Sequence, residues 1–238
     1  MVNADTAQLK ERAAWRAVEF VESGMVVGLG HGSTAILGVG RIAQLLGAGQ
    51  LQGILGVPCS LQVEEEAQRL GVPLTTLEEH PIVDLTIDGA DEVDLNLDLI
   101  KGGGGAFLRE KIVAQASRRE IIVVDESKLS PALGTRSPVP VEVIPFGWRS
   151  QASYLESLGA RVALRRKSDG TPFKTDQGNL ILDCSFGPIA QPGQLAPRLS
   201  ERVGIVEHGL FLGLATDVIV GTTQGISHLK RGEHNDSD

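Results

Sequence analysis

Two acidic residues flank a short turn, Asp88-Gly89-Ala90-Asp91-Glu92, directly after the apolar segment 82–87. If that segment is a strand of an open α/β sheet, a ligand would bind beyond its carboxyl end, where this turn begins. Asp88 and Asp91 could then accept hydrogen bonds from the hydroxyl groups of one small polyol. A solvated acidic turn or a divalent-cation site accounts for the same residues, and for an isolated D-G-x-D it is the preferred interpretation.

A run of glycines follows Lys101, and a helical pattern begins directly after it. Glycine loses more backbone freedom on folding than any other residue, so an ordered run of four needs compensation. Close approach of the main chain to a ligand would supply it, with Lys101 adding a positive charge. The candidate ligand contacts are Lys101, Gly102, Gly103 and Gly104. A flexible linker is the alternative, but linkers seldom lie between two strongly patterned segments.

A second glycine-rich segment, GLGHGST at residues 28–34, joins a predicted strand to a predicted helix. Backbone N–H groups at such a junction can bind an anion. The segment lacks the Gly-Lys-Ser/Thr of a P-loop and the last glycine of G-x-G-x-x-G. Its candidate contacts are His31, Gly32, Ser33 and Thr34. A tight turn, with Ser33 or Thr34 only capping the helix, fits equally well.

Glu110 lies in the helix predicted after the glycine run. At about 100° per residue, Glu110 lies about 200° around the helix axis from both Leu108 and Ile112, which form the main apolar stripe of the predicted helix. Periodicity alone therefore predicts a solvent-exposed glutamate between Arg109 and Lys111.

The elements that carry these residues alternate between apolar strands and amphipathic helices, which predicts a doubly wound, mainly parallel, Rossmann-like α/β sheet. Strands are expected over 25–29, 53–57, 73–77, 82–87 and 120–125, and helices over 7–21, 35–46, 61–70 and 106–118. Beyond residue 138 the order becomes β-α-β-β-α-β, typical of a ferredoxin-like α+β unit. We therefore predict a main domain of residues 1–136 with 212–230, a ferredoxin-like domain of 137–211, and a disordered tail of 231–238.

Composition narrows the class of protein. The 238 residues carry a formal net charge of −8, which argues against a nucleic-acid partner. No segment approaches the roughly 18 consecutive apolar residues of a membrane span, and no signal core follows the N-terminus. Two widely separated cysteines indicate neither a disulfide framework nor a zinc site. A cytoplasmic protein with no membrane partner is the expectation.

Four motifs in order, GLGHGST, DGADE, KGGGGAFLREKI and VVDESK, closely resemble the A-type ribose-5-phosphate isomerases, and the similarity extends over residues 9–222. The resemblance implies an aldose-ketose isomerase of the non-oxidative pentose phosphate pathway. Such an enzyme interconverts D-ribose 5-phosphate and D-ribulose 5-phosphate through an enediol. It also implies a homodimer or higher homo-oligomer that uses neither a metal nor a cofactor.

The same resemblance assigns roles to residues. Glu110 would be the general base, which reverses the interpretation from periodicity, while Lys101, Asp88 and Asp91 would line the reacting end of the sugar. Further substrate contacts would come from the two glycine-rich segments and from single residues, namely His31, Gly32, Ser33, Thr34, Gly89, Ala90, Gly102, Gly103, Gly104, Lys128 and Lys10. His31 departs from the family, which usually has a smaller hydroxyl residue there, and we hypothesise a titratable contact near the sugar phosphate.

Other classes share parts of this pattern. A sugar-phosphate sensor would need an output module, and no helix-turn-helix or basic region is visible. An aminosugar-phosphate deaminase or a coenzyme A transferase of related architecture is a second alternative. The contiguous segment from Lys101 to Glu110 favours the isomerase over both.

Overall fold

The computed structural model describes residues 4–232. It groups the chain into two compact units. Unit 1 comprises Met1–Ala90, Arg109–Lys128 and Gly213–Asp238, and unit 2 comprises Asp91–Leu108 and Leu129–Leu212. Asp88 and Glu110 therefore belong to unit 1, whereas Asp91 and Lys101 belong to unit 2. The domain boundaries drawn from the sequence stay a prediction.

Six helices and thirteen strands make up the described part of the chain. The helices are α1 (Ala4–Val18), α2 (Ala35–Gly47), α3 (Leu61–Arg69), α4 (Phe107–Ala116), α5 (Trp148–Ser157) and α6 (Pro192–Ser200). The strands are β1 (Val26–Leu29), β2 (Leu55–Pro58), β3 (Leu85–Asp88), β4 (Glu92–Val93), β5 (Leu99–Ile100), β6 (Glu120–Asp125), β7 (Val139–Val143), β8 (Arg161–Leu164), β9 (Leu180–Ser185), β10 (Ile205–His208), β11 (Leu210–Phe211), β12 (Asp217–Thr222) and β13 (Gly225–Lys230).

Unit 1 contains a six-stranded sheet in the order β13-β12-β6-β3-β1-β2. All neighbours are parallel except β12 and β13. Counted along the chain, the five parallel strands have the 2-1-3-4-5 order of flavodoxin-like folds, whose ligands bind beyond the carboxyl ends of the first and third strands. The predicted mainly parallel α/β sheet is confirmed.

Alternate residues of the strands of unit 1 face two different cores. Val27 and Leu29 of β1 pack with α1, α2 and α3 in one cluster, which includes Ala13 and Ile42. Val26, the neighbour of Val27, packs in a second cluster with Val113 of α4. Successive side chains of a strand point to opposite faces, so helices cover both faces of this sheet, as a doubly wound fold requires.

Unit 2 contains an antiparallel sheet in the order β10-β7-β9-β8, connected as the predicted β-α-β-β-α-β unit. Its core includes Val141, Leu155, Leu182 and Leu199, so α5 and α6 pack on the sheet through their apolar residues. The sequence pattern predicts the last strand of this unit over 204–211, but the strand ends at His208. Beyond Gly209, β11 instead joins β5 and β4 in a separate three-stranded sheet.

The structure differs from the predicted elements at two further places. The strand expected over 73–77 is a single bridge at Leu74, which pairs with Gly56. Strand β13 was not predicted, and it forms a hairpin with β12. Of the predicted disordered tail, 231–238, residues 233–238 lie outside the described part of the chain. Within residues 4–232, no helix is both long enough and apolar enough to cross a bilayer.

Candidate active site

Asp88 is the last residue of β3 and is fully buried. Its Oδ1 accepts hydrogen bonds from the backbone N–H of His31, at 3.1 Å, and of Gly89, at 2.7 Å. A Cβ on Gly30 would collide with Asp88 and with the carbonyl oxygen of Ile87. The turn after β1 can therefore approach β3 this closely only because residue 30 is glycine. The structure joins two predicted ligand segments at the carboxyl ends of adjacent strands.

Ser33 lies in the glycine-rich turn before α2, and Gly32 beside it has a φ of 109°, a left-handed conformation that favours glycine. The Lys10 ammonium donates a hydrogen bond to the Ser33 hydroxyl at 3.1 Å. Both side chains line a cavity of about 370 Å³ beside α1. The Thr34 side chain makes no capping hydrogen bond to α2. Capping alone therefore does not account for Ser33 and Thr34.

Lys128 lies at the end of a short 3₁₀ helix, Glu126–Lys128, that follows β6. The Asp125 carboxylate fixes this turn by accepting the N–H of Ser127, at 3.0 Å, and its hydroxyl group. Because β6 is the neighbour of β3 and parallel to it, Lys128 lies at the same edge of the sheet as Asp88. Lys128 is half-buried there.

Glu110 lies on the buried face of α4, with only 3% of its surface exposed. Phe107, Lys111 and Ala114 share that face, whereas Ile112 is 47% exposed. The interpretation from periodicity, a solvent-exposed glutamate, is therefore wrong. Buried glutamate and lysine are rare because desolvation of a charge is costly, and such residues cluster at functional sites.

Lys101 of unit 2 is also buried, at 2% exposure. Its ammonium nitrogen lies 5.5 Å from the centre of the Phe211 ring, within the range of a cation–π contact. Its backbone N–H donates to the carbonyl oxygen of Gly209 at 2.9 Å. The structure therefore holds this cation at a defined position in an environment poor in water.

Asp91 and the glycine run form one ordered loop of unit 2. Asp91 Oδ2 accepts the N–H of Gly103 at 2.7 Å. The Arg165 guanidinium donates to the carbonyl oxygens of Gly102, at 2.7 Å, and of Gly103, at 3.1 Å. Gly102 has a φ of 110°, so this position also favours glycine. These contacts contradict the alternative that the run is a flexible linker.

Two further contacts of residues in these motifs were not predicted. The Ser60 hydroxyl, in the turn between β2 and α3, lies 2.9 Å from Nδ1 of His31. The carboxylate of Glu92 is fully buried. It accepts the four consecutive backbone N–H groups of residues 134–137 at 3.0 to 3.2 Å. Spacing along the chain cannot reveal either contact, because the partners are 29 and about 42 to 45 residues apart.

Metal ligation was one alternative for the acidic turn. Among the described residues, no group of three or more His, Cys, Asp and Glu side chains is arranged to hold a metal ion.

Comparison with known proteins identifies the family. The model of the family described as ribose 5-phosphate isomerase A, or phosphoriboisomerase A, matches residues 55–225. Ribose-5-phosphate isomerase A of Chloroflexus aurantiacus is 58% identical over 229 residues, which is 96% of each chain. The chain belongs to the ribose 5-phosphate isomerase A family. The isomerase A of Desulfatibacillum aliphaticivorans is 55% identical and covers 93% of this chain and 96% of its own.

Solved isomerase structures have the same fold. A D-ribose-5-phosphate isomerase in complex with phospho-erythronic acid superposes with a TM-score of 0.93 at 38% identity, over 95% of this chain and 99% of its own. The isomerase of Plasmodium falciparum gives a TM-score of 0.92 at 39% identity, over 95% of this chain and 100% of its own. The predicted family, fold class and enzyme class, an aldose-ketose isomerase acting on ribose 5-phosphate and ribulose 5-phosphate, are confirmed.

Proposed function

We propose that Glu110 transfers the proton in this isomerisation. Conversion of the open-chain aldose to the ketose removes a proton from the second carbon and returns one to the first, while a proton moves from the second oxygen to the first. One carboxylate can perform both carbon transfers, by taking the proton to form the enediol and giving it back. The observation that carries the proposal is the burial of Glu110 on α4, because buried carboxylates cluster at functional sites.

Lys101 is proposed to stabilise the negative oxygen that develops as the enediol forms. A fixed cation shielded from water stabilises such a charge far more than a mobile one in solvent. Its burial and its contact with Phe211 support this role. The N–H groups of Gly102 and Gly104 would add hydrogen-bond donors to the same oxygen.

Asp88 and Asp91 are proposed to bind the sugar hydroxyl groups and to assist ring opening and proton movement between the two oxygens. Both carboxylates are oriented by backbone N–H groups, which supports a positioning role. The division of labour between them stays a prediction. Further substrate contacts are proposed for Gly89, Ala90, Gly102 and Gly104.

The phosphate group is proposed to bind at the glycine-rich turn of unit 1. Ser33 and the start of α2 would supply hydroxyl and N–H donors, and Lys10 a positive charge. The Lys10–Ser33 hydrogen bond supports a common site for these residues. Lys128, at the same edge of the sheet, is a further proposed cation for the substrate.

The assembly and location are also proposals. The family resemblance implies a homodimer or higher homo-oligomer in the cytoplasm, without a cofactor. The net charge of −8 supports the absence of a nucleic-acid partner.

Glu110→Gln tests the proposed chemistry, because the amide keeps the size of the side chain and cannot accept the proton. The assay follows ribose 5-phosphate to ribulose 5-phosphate in excess chelator. We expect kcat to fall by about 10² to 10⁴ with KM changed less than about threefold, since a general base contributes a factor of that size.

The matched control is Glu65→Gln, which removes an exposed glutamate from α3 and should retain wild-type turnover. Retention of more than about a tenth of kcat in Glu110→Gln would contradict the assigned role. Loss of wild-type turnover in chelator would contradict catalysis without a metal.

A further inference from the structure

The imidazole of His31 is held by a hydroxyl group from a different turn of unit 1. Nδ1 of His31 lies 2.9 Å from Oγ of Ser60, which precedes α3. The same Oγ accepts the backbone N–H of Val63 at 3.1 Å and so caps this helix. Ser60 is only 2% exposed. A buried hydroxyl group thus has two neighbours, one of which is a donor.

The hydroxyl hydrogen of Ser60 decides where His31 carries its proton. A hydroxyl group has one hydrogen to donate. Among the described residues, Nδ1 of His31 is the one contact of the Ser60 hydroxyl that can accept its hydrogen, and it can do so only when Nδ1 carries no hydrogen of its own. If Nδ1 carried the hydrogen of the neutral ring, the Ser60 hydrogen would be buried without an acceptor. Such a group costs about 1 to 3 kcal/mol. The tautomer with its hydrogen on Nε2 avoids this penalty.

We propose that Ser60 is a positioning residue that keeps the N–H of His31 on Nε2, from which His31 donates a hydrogen bond to an oxygen of the bound sugar phosphate. This inference rests on the proposed function for the identity of the ligand, while the tautomer follows from the hydrogen bonds alone.

The position of His31 supports a ligand contact. Its backbone N–H donates to Asp88 at the carboxyl end of β3, and the turn that contains it follows β1. These two strands flank the point at which flavodoxin-like folds bind ligands. Nδ1 faces Ser60, so Nε2, on the other side of the ring, points away from that contact. The residue is half-buried, so protein does not cover it completely.

The tautomer is measured directly with long-range ¹H–¹⁵N NMR spectra of the full chain, in which the two tautomers give different coupling patterns. The His31 signals are assigned by their loss in His31→Gln. We expect the Nε2–H pattern in the wild-type protein and in Ser60→Thr, which keeps the hydroxyl group. A mixture of tautomers is expected in Ser60→Ala. An Nδ1–H pattern in the wild-type protein, or an unchanged pattern in Ser60→Ala, would overturn the proposal.

Kinetics test the contact with substrate through two matched variants. The amide nitrogen of Gln can replace Nε2 of histidine, whereas the shorter Asn places its amide near Nδ1. We expect His31→Asn to raise KM by about tenfold with kcat changed less than about twofold, the loss of one hydrogen bond to a charged group. His31→Gln should recover most of that affinity, and Ser60→Ala should raise KM by about threefold or more.

Each failure has a distinct meaning. Equal KM values for His31→Gln and His31→Asn would overturn the substrate contact, even if Ser60→Ala does not fold. If the wild-type chain does not isomerise ribose 5-phosphate, the proposed function fails, whereas the NMR result still decides the role of Ser60.

Discussion

Gly103 and Asp91 are in direct contact, which makes the glycine a sensitive probe of the carboxylate. A Cβ on Gly103 would lie 2.7 Å from Oδ1 of Asp91, closer than real side chains approach, so the carboxylate would have to move. We expect Gly103→Ala to lower kcat/KM by about 10- to 100-fold, because a displacement of about 1 Å at a positioned group has effects of that size. Steady-state kinetics measure it. Thermal unfolding should change little, and an unchanged kcat/KM would contradict a role for Asp91.

Residue roles were the hardest part of this protein to predict. Periodicity places Leu108 and Ile112 on the apolar stripe of α4, yet Ile112 is largely exposed and Glu110 is buried. The hydrophobic pattern misleads here because α4 buries Glu110 and Lys111 on a face that would otherwise be apolar. Only the family resemblance assigns a catalytic role to Glu110, and that role stays a prediction. Neither periodicity nor the family resemblance indicates Ser60, because its contact with His31 depends on how two separate turns meet.

Glu92 connects strand β4 to the loop of residues 134–137 through four hydrogen bonds. Glu92→Gln replaces one carboxylate oxygen by an NH₂ group, which would face backbone N–H donors instead of accepting from them. We expect the free energy of unfolding to fall by about 2 to 4 kcal/mol, because hydrogen bonds to a charged group contribute about 1.5 to 3 kcal/mol each. Urea unfolding measures the change.

The control for that experiment is Glu126→Gln, at an exposed position. We expect it to change the stability by less than about 0.5 kcal/mol, as is usual for surface substitutions. A change of similar size for Glu92→Gln would show that the buried carboxylate does not hold the loop.

Helix α2 contains two glycines in its interior, and their surroundings differ. A Cβ on Gly38 would touch Ile87 and Val18 at 3.6 and 3.7 Å, an ordinary packing distance, whereas a Cβ on Gly40 would meet nothing within 4 Å. Gly40→Ala should therefore raise the free energy of unfolding by about 0.5 to 1 kcal/mol, the difference in helix propensity. Thermal and urea unfolding test this, and we expect the turnover of Gly40→Ala to equal that of the wild type. A loss of stability would indicate a backbone requirement at residue 40.

Most elements were predicted to within a few residues, because strands and helices of a buried sheet differ clearly in hydrophobic period. Helix α2, for example, was expected over 35–46 and is Ala35–Gly47. The failures were short or local. The apolar run 73–77 forms only one bridge, and β13 alternates too weakly in polarity to stand out. In both cases strand formation depends on a partner strand that the local sequence does not reveal.

The hydrophobic period of a sequence identifies its strands and helices but not the order of the strands in a sheet. The sequence predicted a parallel sheet, whereas the position of β1 between β2 and β3 came from the structure. That order explains why Asp88 and the His31 turn are adjacent although 57 residues separate them. The boundary between units falls inside the DGADE motif, between Ala90 and Asp91, which no shift in composition announces.

The stability of unit 1 should depend on pH through the buried carboxylate of Asp217, which is distant in sequence from the proposed catalytic residues. Asp217 accepts two hydrogen bonds from Arg119, at 2.9 and 2.8 Å, one from Thr216 at 2.7 Å, and lies 2.7 Å from Nε2 of His228. Burial alone would raise the pKa of Asp217, but the hydrogen bonds from these three side chains outweigh it and lower the pKa to about 2. The hydrogen bonds between Arg119 and Asp217 also raise the pKa of Arg119.

The sign of the effect follows from proton binding. Between the ordinary pKa of an aspartate and about 2, the unfolded chain binds more protons at this site than the folded chain, so acid favours unfolding. The stabilisation is complete above about pH 5, where it amounts to roughly 2 kcal/mol, and it is lost as the pH falls through the folded-state pKa. Asp217→Asn should remove it. Urea unfolding of both proteins between about pH 7 and 3 measures the difference.

We expect the difference in unfolding free energy between wild type and Asp217→Asn to be constant above about pH 5 and to shrink below about pH 4. Burial raises the pKa of Glu142, which gives the opposite pH dependence, but this contribution is present in both proteins and cancels. Glu66→Gln is the control, because the hydrogen bond from Arg69 lowers the pKa of Glu66 at a position where solvent screens the charge. Its effect should be smaller at every pH. A wild-type advantage that persists undiminished at pH 3 would mean that the Asp217 carboxylate is not what stabilises this end of the sheet.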